Sequence, residues 1–136
     1  MGTFNVSIEL ARPYGDEFVL LDSLVDTGAT YSVFSGELLE GIGITAVENS
    51  TFELADGRVV ELPLGYAAIR VAEKQIIAPV VFGPEGTTPL LGATALEIAR
   101  LARDPVRQVL VPVNALLMTW LDGMPGNGTG NGNIPR

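Results

Sequence analysis

Short apolar runs broken by turn signals fill most of this chain, and that pattern restricts it to a fold built from β-strands. Phe4, Val6, Ile8 and Leu10 alternate with polar residues before Arg12-Pro13-Tyr14-Gly15-Asp16 turns the chain, and residues 18–25 return as a second strand. Residues 51–54 and 58–62 flank Asp56-Gly57, a strong hairpin signal. A further hairpin is predicted from residues 65–71 and 76–82 through Glu73-Lys74-Gln75, and residues 108–111 form the last clear strand. Helix is scarce. Residues 35–39 suit one turn, capped by Ser35 and ended by Gly41. The recurrence of Thr94, Glu97, Arg100 and Arg103 at every third position predicts a largely buried helix over residues 93–103.

The second strand ends in an unusual way. Leu24-Val25 delivers Asp26 into the tight turn Asp26-Thr27-Gly28-Ala29, and Val33-Phe34 follows. Glycine there lets backbone N–H groups approach a carboxylate closely, and a threonine hydroxyl can bond across to a partner loop. Ala29 leaves room beside the acid. Two carboxylates held close share one proton, so that one serves as base while the other serves as acid, which is what attack of water on a peptide bond requires. This chain has a single Asp-Thr-Gly and no Asp-Ser-Gly. If Asp26 does such chemistry, its partner is the Asp26 of a second copy on a two-fold axis.

Composition removes most other chemistries. With no cysteine and no histidine, disulfides, thiolate or histidine metal sites and Ser-His or Cys-His nucleophiles are excluded. Asp16, Glu17, Asp22 and Asp26 spread over two strands and a turn without the spacing of a calcium loop, so neither a metal nor another cofactor is expected. Sixteen acidic against eight basic residues give a net charge of −8, which argues against nucleic acid as a partner. The chain has no uninterrupted apolar run long enough to span a bilayer, and no membrane partner is expected. Met1-Gly2-Thr3-Phe4 lacks the basic and apolar regions of a signal peptide, so a cytoplasmic location is expected. Residues 1–121 are read as one domain. Residues 122–136, rich in Gly and Asn, are read as a disordered tail. The apolar residues 115–121 fit a strand, a short helix or a dimer contact.

Taken together, the residues resemble the retropepsin-like aspartic proteases, the single-lobe relatives of pepsin that include the retroviral proteases. Three landmarks carry the resemblance, in order: Leu24 to Ala29 as the catalytic segment, the hairpin centred on Ala55-Asp56-Gly57-Arg58 in place of the flap, and Pro89-Leu90-Leu91-Gly92 with the helix behind it. The departure is also specific. Retroviral members place an acid straight after the Asp-Thr-Gly-Ala motif and an arginine after the later glycine, which pair as ions; here Thr30 and Ala93 stand there, so both partners are absent together and no unpaired buried charge is left.

The resemblance implies an all-β fold: a closed β-barrel lobe with a flap hairpin and one helix in the C-terminal half. It implies an aspartic endopeptidase active as a homodimer on peptide or protein substrates. Asp26 is then the catalytic acid, Thr27 and Gly28 support the catalytic loop, and Ala29, Ala55, Asp56 and Gly57 line the substrate cleft. Two other readings fit the same residues. One is a peptide-binding or dimerisation module of the same fold that does not cleave, and the other is a structural domain of a larger assembly.

Overall fold

The computed structural model describes residues 3–114; the expectations for residues 115–121 and for the Gly/Asn-rich tail lie outside them. The described chain is mostly β. The first hairpin forms as expected: β1 (Phe4–Ala11) pairs antiparallel with β2 (Val19–Val25) in one continuous register from Phe4 opposite Val25 to Leu10 opposite Val19. The alternation has its usual cause. Phe4, Ile8 and Leu10 turn into the core while Asn5 and Ser7 face out.

After β2 come β3 (Ser32–Ser35) and the short helix α1 (Gly36–Gly41), whose N-terminus is capped by the Ser35 hydroxyl accepting the Leu38 N–H at 3.1 Å. Next are β4 (Glu48–Glu53), the long β5 (Val59–Val71), β6 (Lys74–Gly83) and the two-residue β7 (Leu90–Leu91). The main sheet runs β1-β2-β7-β3-β6-β5-β4, and a further β1–β5 pairing closes it into a ring-like arrangement with β4 outside. The length of β5 makes closure possible. Its first half pairs with β4, its second half with β6, and Ala68 to Arg70 also pair with β1. Phe34, Ile8, Leu10, Ile69, Leu91 and Val80 fill the interior and are almost wholly buried.

β2 and β3 are neighbours in sequence but do not pair with each other. β7 lies between them, parallel to β2 and antiparallel to β3. A two-residue strand survives there because both edges are satisfied and Leu91 is fully buried.

Two expectations are corrected. The β5–β6 turn is Ala72-Glu73, with Val71 opposite Lys74, not Glu73-Lys74-Gln75. Both turn residues have positive φ, as a two-residue hairpin loop demands. The predicted helix over residues 93–103 is α2 (Ala93–Ala99) only; Arg100 turns left-handed at φ 57° and the chain continues as β8 (Leu101–Asp104), paired with β9 (Val109–Pro112) in a separate two-stranded sheet. The polar spacing that suggested a longer helix continues through Arg103, but Leu101 and Leu110 join the core through the hairpin instead.

Candidate active site

Asp26 follows β2 directly, and the last residue of that strand, Val25, is fully buried. The Asp26 N–H donates to the Leu91 carbonyl at 3.0 Å, and the Leu24 N–H donates to the Pro89 carbonyl at 3.0 Å. The acid is thereby fixed by β7 before the turn begins. Within the turn, the Asp26 Oδ1 accepts the Gly28 N–H at 2.9 Å and the Asp26 carbonyl accepts the Ala29 N–H at 3.2 Å. A Cβ at Gly28 would lie 3.2 Å from that same Oδ1, so glycine keeps the N–H close to the carboxylate. Asp26 is half-buried, Ala29 likewise, and Thr27 and Gly28 are exposed.

Behind the turn, the N-terminus of α2 supplies the brace. The first amides of a helix have no intrahelical acceptor. Here the Ala93 N–H donates to the Ala29 carbonyl at 2.7 Å and the Thr94 N–H to the Thr30 carbonyl at 2.9 Å. Main-chain bonds thus join the segments of Thr30 and Ala93, the two positions that carry an ion pair in the retroviral pattern. Gly92, which has no side chain to cap α2, gives its own N–H to the buried Ser32 hydroxyl at 3.0 Å.

Ala55, Asp56 and Gly57 sit together at the exposed tip of the β4–β5 hairpin. The Gly57 N–H donates to the Leu54 carbonyl at 2.9 Å, the Leu54 N–H to the Arg58 carbonyl at 2.7 Å, and Gly57 takes the positive φ that closes a three-residue loop. The Asp56 carboxylate is occupied within the tip: it accepts the Arg58 N–H at 3.0 Å and meets the Arg58 Nε at 2.7 Å. The Arg58 backbone N–H and then its side chain hold this carboxyl below its usual value of 3.8.

The sequence-predicted residues therefore form two groups, the turn at Asp26 to Ala29 and the hairpin tip at Ala55 to Gly57. Two aromatic residues that sequence reading passed over connect their supports. The ring of Tyr31, just past the turn, meets the ring of Phe52 on β4 edge-on, with centroids 5.9 Å apart. Ser32 was missed as well; a serine between an aromatic residue and an apolar strand gives no sign in sequence that its hydroxyl is needed sixty residues away. Among the described residues no three acidic side chains come together in a way that would hold a metal ion, and no helix is long and apolar enough to cross a membrane. Comparison with protein-family models and with curated proteins finds no match to this chain.

Proposed function

We propose that this protein is an aspartic endopeptidase of the retropepsin-like type, active as a homodimer, with the ring of strands as the family's closed barrel lobe and the β4–β5 hairpin as its flap. The observation that carries the reading is the seat of Asp26. It is a half-buried carboxylate at the end of a core strand, held in a glycine turn that β7 and α2 brace from behind. The exposed Thr27 and Gly28 are the loop residues left to meet a second subunit.

In the dimer, each subunit brings one Asp26 to the two-fold axis and the two carboxylates share a single proton. The ionised member takes a proton from water as the water oxygen bonds to the scissile carbonyl carbon, and the protonated member gives its proton to the carbonyl oxygen. The carboxylic acid then gives its proton to the amide nitrogen while the other carboxylate takes one from a hydroxyl of the tetrahedral diol, the C–N bond breaks to release amine and acid, and the pair again holds one proton. The peptide lies extended, its main chain read by the backbone of Ala55, Asp56 and Gly57 as in strand addition, with Ala29 leaving space for its side chains. Because Arg58 occupies the Asp56 carboxylate, Asp56 contributes to the cleft through its main chain.

The test is cleavage of a complex peptide mixture between about pH 4 and pH 7.5, read by mass spectrometry for wild type and Asp26→Asn. Asparagine keeps an Oδ1 that accepts the Gly28 N–H, so the turn survives while the acid is lost. New termini made only by wild type are the expected result. No cuts from a protein shown to be dimeric in the same buffers, with peptides still bound, would replace this reading by the non-cleaving binding module.

A further inference from the structure

The β4–β5 hairpin is attached to the rest of the molecule unevenly. Among the described residues β4 is the outermost strand and pairs only with β5. Its residues Glu48, Asn49, Thr51 and Glu53 are exposed, and among the described residues no second strand lies beside it. Phe52 is different. It stands opposite Val60, is half-buried, and its ring crosses to Tyr31 at 5.9 Å between centroids with the planes at 89°. That perpendicular arrangement sets the positive edge of one ring against the negative face of the other, the favoured geometry for an aromatic pair.

The two rings stand on bases of unequal rigidity. On one side of Tyr31, the Thr30 carbonyl accepts the Thr94 N–H; on the other, the Ser32 hydroxyl accepts the Gly92 N–H and Ser32 pairs with Val80 of β6. The Tyr31 carbonyl group itself packs against Gly92, where a Cβ would lie only 2.6 Å away. Tyr31 is therefore fixed by the same contacts that fix the Asp26 turn. Phe52 rides on a two-stranded ribbon.

We infer that the Tyr31–Phe52 ring contact is a latch that sets the resting position of the hairpin over the Asp26 turn and parts when the hairpin lifts. The inference rests on reading the hairpin as a flap. Tyr31 and Phe52 are positioning residues: they hold the peptide-binding tip in register with Asp26 and take no part in the bond exchange.

Amide hydrogen exchange resolves it, measured on the full chain as wild type, Phe52→Ala, Tyr31→Ala, the double variant and Tyr31→Phe. Either single alanine is expected to raise exchange over residues 48–62 by about two- to tenfold, the worth of one aromatic pair. Exchange in β1, β2 and β6 stays at the wild-type rate. The double variant matches the singles because the second change finds nothing left to break. Tyr31→Phe, which keeps the ring, behaves as wild type. Unchanged exchange at residues 48–62, or an equal rise in every strand, overturns the latch. Exchange needs no turnover, so the two readings separate. A localised rise in a chain that cuts nothing supports the latch and removes the protease reading, and cleavage with flat exchange does the opposite.

Discussion

The buried hydroxyl of Ser32 accepts the amide N–H of Gly92 at 3.0 Å, and the same glycine lies against the Tyr31 carbonyl group so closely that a Cβ would sit 2.6 Å from both its carbon and its oxygen. The neighbouring atoms are backbone and cannot swing away. Gly92→Ala is therefore expected to destabilise the fold by about 3 kcal/mol, the upper end for a forced core insertion. Ser32→Ala leaves the Gly92 N–H without its acceptor and is expected to cost about 1–3 kcal/mol. Urea unfolding of the two variants measures both, and a neutral Gly92→Ala would mean that β7 does not press on the Asp26 turn.

Much of this was legible before the structure. The alternation at Phe4, Val6, Ile8 and Leu10 and the Asp56-Gly57 signal are local, and local signals place strands and turns because side-chain period and positive φ are set by neighbours in sequence. Asp26 stood out because the apolar Leu24-Val25 leads straight into an acid and a glycine turn, a signal that is also local. The insertion of Leu90-Leu91 between β2 and β3, the Ser32–Gly92 bond and the Tyr31–Phe52 contact are not local. Each joins segments 21 to 66 residues apart, and nothing in the composition of either segment announces its partner. The overlong helix over residues 93–103 failed for a related reason. Amphipathic spacing cannot distinguish a helix that continues from one that stops and sends its next apolar residue, Leu101, into the core from a hairpin.

The β5–β6 turn places Ala72 and Glu73 at φ 49° and 66°, a conformation that L-residues with a Cβ adopt at a cost. A two-residue loop of this kind prefers Asn-Gly. Ala72→Asn with Glu73→Gly is expected to stabilise the protein by about 1 kcal/mol, seen as a higher urea midpoint at unchanged slope. Ala72→Val should lower the midpoint, since a β-branched residue tolerates positive φ least.

Arg100 ends α2 in the left-handed region, its N–H donating to the Glu97 carbonyl at 3.1 Å, and glycine is the residue best suited to that place. Arg100→Gly is expected to raise stability by about 0.5–1 kcal/mol, with the larger loss of unfolded-chain entropy for glycine setting the lower end. A fall in melting temperature would show that the arginine side chain contributes something its backbone geometry does not explain.

Two exposed hairpin tips are held by the same device with its parts weighted differently. At the β4–β5 tip, the Asp56 carboxyl lies below 3.8 first because of the Arg58 backbone N–H and second because of its side chain. At the β8–β9 turn, the Asp104 carboxyl lies below 3.8 first because of the Arg107 side chain, whose Nε is 2.7 Å from Oδ2, and then because of the Arg107 backbone N–H. An acid with a depressed folded-state value contributes its stability above the unfolded value and loses it as pH falls through the folded one. Both tips therefore stay closed on the neutral side of 3.8 and loosen only on the acid side, so the β4–β5 tip remains intact throughout a cleavage assay run above about pH 4. Carboxyl-carbon NMR titration of single variants separates the two causes. Arg58→Ala keeps the backbone N–H and should move the Asp56 midpoint only part of the way back toward 3.8, whereas Arg107→Ala removes the larger cause and should return Asp104 further. Full recovery of Asp56 in Arg58→Ala would assign its shift to the guanidinium alone.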